Sequence, residues 1–265
     1  MTTGPGRNTV TVRSGRLGVG IVGAGRVGPV IGAALANAGH AVVGISAVSA
    51  ESRERAEGIL PGVPILAVEE ILERSELVVL AVPTAELAGL VAGLAALGVW
   101  QSGQLVLHTA AEYGTGVLAP AAAAGAIPLA VHPAIVFTGT TLDLARLMDS
   151  YCAVTAPAPV LPIGQALVVE MGAEPVVIAE AGRAEYARAL ASVGELAGRV
   201  VADAAATLTR LGVESPAGLL ASVLSATVDT VLRSHANPPE VGVAGQDSFD
   251  PGWPDIPSTG SDFSE

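Results

Sequence analysis

Charge, cysteine and aromatic residues are all scarce in this chain. Only 14% of its 265 residues are Asp, Glu, Lys or Arg, while 51% are hydrophobic, a balance that calls for a large buried sheet. Membrane insertion is the rival explanation, because Leu87 to Ala111 and Tyr113 to Leu142 carry no charged residue. Gly, Pro and turn-like clusters interrupt both stretches, and neither holds the unbroken apolar run of about 20 residues that a spanning helix needs. No membrane partner is therefore expected. The single cysteine, Cys152, excludes an internal disulfide framework and fits a reducing, cytoplasmic setting; alone in an apolar run, it reads as a core residue. A net charge of -12 with no basic cluster argues against nucleic acid as a partner. Four histidines, scattered and unaccompanied, give no metal site. Arg7, Arg13 and Arg16 precede an apolar stretch as in a signal peptide, but "LGVGIVGAGRVG" is too glycine-rich and soon meets Arg26. Residues 1–15 read as a flexible leader.

What is present is a regular alternation. The β-rich runs "LGVGIVG", "AVVGISA", "PILAV", "LVVLAVP", "QLVLHT", "IPLAVHP", "YCAVTAP" and "EPVVIAE" are separated by Ala/Leu-rich helical stretches. This is the pattern of βαβ units, an α/β fold whose doubly wound parallel sheet is covered on both faces, over residues 16–180. One helix begins near Thr84, its N-cap, with Leu87, Leu90, Val91, Leu94 and Leu97 at the spacing of a buried stripe. From 181 to 235 the pattern becomes all-helical: one long helix ends at Gly212, and a second starts with Ser215 as N-cap and Pro216 in its first turn. Two helices make a thin core, so they should pack on the sheet domain, on a second copy of the chain, or on both, and a homodimer is expected over a monomer. Residues 236–265 hold five prolines, six acids and no basic residue, the composition of a disordered acidic tail.

In "GIVGAGRVGPVIGAAL" the glycines fall at Gly23, Gly25 and Gly28. Gly23 permits a tight turn, Gly25 a close approach of backbone to a pyrophosphate, and Gly28 the packing of helix on strand. The helix opens near Arg26 and Val27, which aims its free N–H groups and positive dipole end at the same place. An acid is then due at the end of the second strand, to hold ribose hydroxyls. There stand instead Ser46, Ala47, Val48 and Ser49, followed by Arg53 and Arg55. Hydroxyls and guanidinium groups suit a 2′-phosphate, which points to NADP(H), with Ser49 and Arg53 as first choices. The alternative is that Ser49 or Ser52 only caps a helix whose arginines face solvent; Glu51 would weaken a phosphate site.

Ligands of such a sheet gather outside the carboxyl ends of its strands. There "AVPT" brings Val82 and Pro83 to the dinucleotide, and "LHTAAEYG" and "VHPAIVFTGT" bring His108 and His132. Hydride reduction of a ketone or imine leaves charge on oxygen or nitrogen, so a proton donor is needed within hydrogen-bond reach. His132 is the first candidate, with His108 and Thr138 as its neighbours. The plainer account is that both histidines satisfy backbone groups at strand ends.

These segments, with "LVVEMGAEPVVIAEAGR", resemble a bacterial family of Rossmann-like oxidoreductases that carry a C-terminal helical domain of unknown function. The likeness spans roughly residues 15 to 183 and is most specific in the His-Thr and His-Pro…Phe-Thr-Gly segments. The wider superfamily includes pyrroline-5-carboxylate reductase and ketopantoate reductase. The resemblance implies NADPH-linked reduction of a small keto acid or imine, with ketopantoate the leading named substrate, and a helical domain that builds a dimer. The chain departs from the family where Ala110 and Ala111 replace a Ser-Gly after Thr109, and where Ala187 replaces the His of a Tyr-His pair beginning at Tyr186. The Asn and the Arg-Gly-Asp segment of the family's helical part are also missing. Tyr186, Arg188 and Glu195 stand as substitutes or as a polar helix face. These departures leave open a dinucleotide-binding or regulatory protein without catalysis.

Overall fold

The computed structural model describes residues 16–236; the leader at 1–15 and the acidic tail beyond Ala236 lie outside the described residues. Seven strands form one sheet: β1 (Gly18–Val22), β2 (Ala41–Ser46), β3 (Leu77–Leu80), β4 (Leu105–His108), β5 (Ile127–Pro133), β6 (Tyr151–Thr155) and β7 (Glu174–Val177). Their spatial order is β2-β1-β3-β4-β5-β6-β7. The connecting helices are α1 (Gly28–Asn37), α2 (Ala50–Ile59), α3 (Val68–Arg74), α4 (Thr84–Ala96), α5 (Ala119–Ala123), α6 (Leu142–Met148) and α7 (Leu161–Glu170). After β7 come α8 (Arg183–Arg210) and α9 (Pro216–Ala236).

Side chains alternate strictly across the sheet, as the two-residue period of a strand requires. Val19, Ile21, Leu77, Val79, Leu105, Leu107, Leu129, Val131, Cys152 and Val154 share one core with α1, α2, α6 and α7. Val22, Val78, Leu80 and Val106 join the opposite core with Ile71 and Leu72 of α3 and Leu87, Val91 and Leu94 of α4. His108 and His132 follow the second set by parity, so both belong to that face.

Three expectations are corrected. "PILAV" is no strand: Ile65 makes only an isolated parallel bridge to Ile45. Pro64 has no N–H to offer a ladder, and α3 begins three residues after Ile65. The sheet is also not wholly parallel, since β5 and β6 pair antiparallel from Ala130↔Thr155 to Pro133↔Cys152. The chain leaves the carboxyl end of β5, makes the seven-residue α6 and re-enters at that same end; no full crossover carries it back. At α4 the N-cap is Pro83, with extended φ of -52° and ψ of 138°, and Thr84 is the first helical residue.

The chain divides into two compact units between Leu196 and Ala197, so the N-terminal half of α8 belongs with the sheet. In the second unit α8 ends before Gly212, whose φ of +86° stops the helix, and α9 starts at Pro216. Among the described residues, no helix is long and apolar enough to cross a membrane.

Candidate functional site: a glycine-rich crevice and a neighbouring strand end

The strand order reverses between β1 and β3, which opens a crevice at their carboxyl ends. Each glycine of the fingerprint has its own reason there. Gly23 has φ of +106°, and a Cβ on it would stand 2.5 Å from the Ala81 carbonyl oxygen. A Cβ on Gly28 would stand 2.0 Å from the Gly23 carbonyl oxygen, so α1 can approach β1 only because that atom is missing. Gly25 differs: a Cβ on it would meet nothing within 4 Å. It lines a cavity of about 470 Å³ with Gly23, Ala24, Ser46, Ser49, Ser52, Val82 and Pro83. Val27 caps α1 without a side-chain bond, and the first turn holds no acid, which leaves the positive end of the helix dipole unneutralised.

At the end of β2, Ser46 Oγ accepts the Gly23 N–H at 2.9 Å, so the residue standing where an acid was expected fixes the first glycine turn. Ser49 caps α2 in a reciprocal box with Ser52: Ser52 N–H donates to Ser49 Oγ at 3.1 Å, and Ser52 Oγ accepts the Ser49 N–H at 3.0 Å. Arg53 is exposed, and its side chain makes no hydrogen bond or ion pair among the described residues. Arg55 turns inward instead, donating to the Ala24 carbonyl at 3.1 Å while paired with Glu51 at 2.5 Å. The loop after β5 closes on Arg55 and on Arg26 of the glycine-rich turn, since a Cβ on Gly139 would lie 2.9 Å from Arg55 Nε and 3.2 Å from Arg26 Cγ.

His108 is fully buried. Its Nδ1 accepts the Ala110 N–H at 3.2 Å and its Nε2 donates to the Gly114 carbonyl at 2.8 Å, so neither ring nitrogen is left to face a ligand. Burial holds it neutral, its pKa lowered to about 4. His132 is only half-buried, and its Nδ1 lies 2.9 Å from the Tyr186 hydroxyl. The two rings meet edge-on, centroids 5.6 Å apart at 80°. Burial, and then the positive charge of Arg183, lower its pKa to about 4 as well. Thr138 is engaged elsewhere: its hydroxyl donates to Asp143 Oδ1 at 2.9 Å and its N–H to Asp143 Oδ2 at 2.7 Å. Burial alone would raise the pKa of Asp143, but the N–H groups of Gly139, Thr138 and Thr140 and the Thr138 hydroxyl hold its carboxyl below the ordinary range. His40, at the opposite edge, accepts the Leu17 N–H and meets Glu170; the His235 side chain lies outside the described residues.

A model of the Rossmann-like domain matches residues 1–133, half of the chain. The chain belongs to the Rossmann-like domain family. Residues 150–239 match a domain of unknown function, DUF2520. No curated protein matches the chain. Among solved structures, the Rossmann-like chain is similar to a Plasmodium falciparum pyrroline carboxylate reductase with NADP bound, at 12% identity and a TM-score of 0.60, covering 83% of this chain and 81% of that one. It is similar to a Streptomyces aurantiacus imine reductase at 15% identity and a TM-score of 0.61, over 86% and 80% of the two chains. A semialdehyde dehydrogenase NAD-binding protein from Cupriavidus necator, in complex with calcium and NAD, matches at 18% identity and a TM-score of 0.62, over 88% and 87%. At these identities the likeness is one of fold.

The sheet-bearing unit holds one functional candidate that sequence reasoning missed. Arg183, 1% exposed, opens α8. Its Nε donates to Thr155 Oγ1 at 2.7 Å, and its Nη2 to the carbonyls of Ala130 at 2.7 Å and Ala153 at 3.1 Å. Its Nη1 is buried with no partner among the described residues. The Arg183 Cζ stands 6.0 Å from the centroid of the Tyr186 ring. Nothing in "AEAGRAEY" sets this arginine apart from a surface one; only the fold brings it beneath the histidine. Glu180, just before it, accepts the N–H groups of Thr115 at 2.8 Å and Gly116 at 3.0 Å, which fastens the turn after β4 to the start of α8. Beside them a second cavity of about 500 Å³ is lined by Thr84, Ala111, Glu112, Ala184, Ala187, Arg188 and Ala191.

Proposed function

We propose that this protein is an NADP(H)-dependent oxidoreductase that reduces a small carbonyl or imine compound, with ketopantoate as the first keto acid to test. The observation that carries the reading is Gly25. Gly23 and Gly28 are required by the protein's own packing, whereas Gly25 borders open space in the crevice, so the reason for its missing side chain lies in a ligand that comes close to the backbone.

The residues present fit a dinucleotide. Gly23, Gly25 and Gly28, with the N–H groups around Arg26 and Val27, would hold the pyrophosphate. Ser46, whose hydroxyl hydrogen is not used by its bond to Gly23, would hold the 2′-phosphate together with Ser49 and Arg53. Val82 and Pro83 would border the nicotinamide half. When bound, the cofactor supplies the hydride. His132, half-buried and with its Nδ1 on a phenol, serves the proton transfer through that bond; His108 and Thr138 support that region by fixing the turn at 110–114 and the loop at 138–143. The exposed apolar side chains Val200, Leu219, Val223 and Leu232 on α8 and α9 support a homodimer. The absence of an exported disulfide framework supports a cytoplasmic setting, and the acidic balance leaves nucleic acid and membranes out of the reading.

A second reading, a dinucleotide-binding or regulatory protein without catalysis, draws support from His108 and Thr138, both committed to internal hydrogen bonds. Parallel titration with NADPH and NADH, followed by nicotinamide fluorescence, tests the cofactor. Tight binding with preference for NADPH is the expected result; failure to bind either overturns the proposal. Turnover of ketopantoate or pyrroline carboxylate with NADPH separates the first reading from the second.

A further inference from the structure

We propose that Tyr186 is the acid that protonates the reduced substrate, with His132 and the buried Arg183 as its positioning residues. The proposal rests on the reductase reading and names a residue for its proton step. Three observations meet at this phenol. Tyr186 is half-buried, so it is ordered and yet open on one side. Its hydroxyl stands 2.9 Å from His132 Nδ1. A buried guanidinium lies 6.0 Å from its ring, and among the described residues that guanidinium has no carboxylate within ion-pair distance, its bonds going to Thr155 and two backbone carbonyls.

The hydrogen-bond arithmetic follows from the neutral ring. A neutral imidazole carries one hydrogen, and the Nε2 of His132 has no partner among the described residues. With the hydrogen on Nδ1, His132 donates to the phenol oxygen and the phenol's own hydrogen is free to point at a substrate. The reverse arrangement would tie that hydrogen to the ring. Arg183 acts on the charged forms: its buried positive charge opposes an imidazolium at His132 and favours a phenolate at Tyr186. Burial raises the phenol's pKa, Arg183 lowers it and Cys152 raises it; the Glu180 carboxylate in turn favours the charged form of Arg183. The phenol is therefore protonated at neutral pH and has a hydrogen to give.

A bound dinucleotide would supply the hydride pair to the carbon of the substrate C=N or C=O, and the π pair would then move to nitrogen or oxygen. That atom takes the proton as the Tyr186 O–H bond breaks. The phenolate left behind is held by His132 Nδ1–H and faces Arg183, and a solvent proton restores it. Histidine stays neutral throughout.

Ultraviolet difference titration of the phenols tests the coupling without any turnover. Subtracting the Tyr186→Phe curve from the wild-type curve isolates the Tyr186 midpoint. In His132→Leu and Arg183→Met that midpoint moves up, and Arg183→Lys returns it toward wild type; where Arg183→Met does not fold, His132→Leu decides. Tyr186→Phe should keep NADPH affinity within about twofold and lose at least about 100-fold in turnover of ketopantoate or pyrroline carboxylate. A midpoint unmoved by His132→Leu, or Tyr186→Phe turning over at the wild-type rate, overturns the assignment while leaving the reductase reading standing. A wild type that binds no NADPH or reduces neither compound defeats that reading instead, and a phenol that still shifts there makes Tyr186 structural.

Discussion

Gly28 and Gly23 touch across the start of α1 so closely that a Cβ on the first would stand 2.0 Å from the carbonyl oxygen of the second. Gly25, between them, would clash with nothing. The two kinds of glycine should therefore separate stability from binding. Gly28→Ala forces helix and strand apart and should lower stability by about 1–3 kcal/mol, the range for overpacking. Gly25→Ala should leave the urea midpoint unchanged and weaken NADPH binding by about tenfold or more, about 1.4 kcal/mol. A fluorescence titration beside a urea curve reads both. Normal binding by a stable Gly25→Ala protein would remove the dinucleotide from this crevice.

Arg53 is free to meet an incoming charge because Arg55 has taken the inward position on Ala24 and Glu51. Removing a guanidinium that bonds a phosphate costs about 1.5–3 kcal/mol when the bond is charge-assisted, so Arg53→Ala should weaken NADPH about tenfold or more. NADH has no 2′-phosphate, and its affinity should not change. Equal losses for both would refute the phosphate role and leave Ser49 as a helix cap alone.

How much of this was legible beforehand depended on whether the signal was local. The glycine fingerprint, Gly212 and Pro216 each act within a few residues of their own position, and each stands where the sequence pattern put it. "PILAV" has the composition of a strand but lacks the partner N–H at Pro64 and the length before α3, so propensity misled. The antiparallel turn at β6 depends on the length of α6 and of its flanking loop, which hydrophobic alternation does not encode. His108 and His132 look equivalent in sequence, each at the end of an apolar run. They differ only because the 110–114 turn folds back over the first and Tyr186, 54 residues away, reaches the second. Arg183 carries no local mark at all, since its bonds go to β5 and β6.

His132→Ala should separate the two functional readings. It removes the ring that holds the Tyr186 hydroxyl but no residue of the glycine crevice, so NADPH affinity should stay within about twofold while turnover falls by about 100-fold or more, the usual contribution of a positioned proton-transfer group. Turnover of ketopantoate or pyrroline carboxylate at the wild-type rate would remove His132 from the mechanism.

The two histidines also set a pH window for stability. In the unfolded chain each titrates near its ordinary value of 6.5, and in the folded protein burial lowers both to about 4. Between these values the unfolded chain binds more protons than the native one, so stability rises with pH there. Their contribution is complete above about pH 6.5 and is lost as pH falls toward 4; below that these rings change nothing further. For His108, fully buried, the effect is on the order of 3 kcal/mol. Asp143 and Glu180, both held below their ordinary values of 3.8 and 4.5, are displaced in the same direction, but their losses begin only as pH drops under those values. The windows are thus separable by urea denaturation across the acid range. His108→Gln should start less stable at neutral pH, having lost bonds to Gly114 and Ala110, and should show a shallower fall between pH 6.5 and 4 than wild type. A fall of equal steepness would mean that His108 is not held neutral by the turn that buries it.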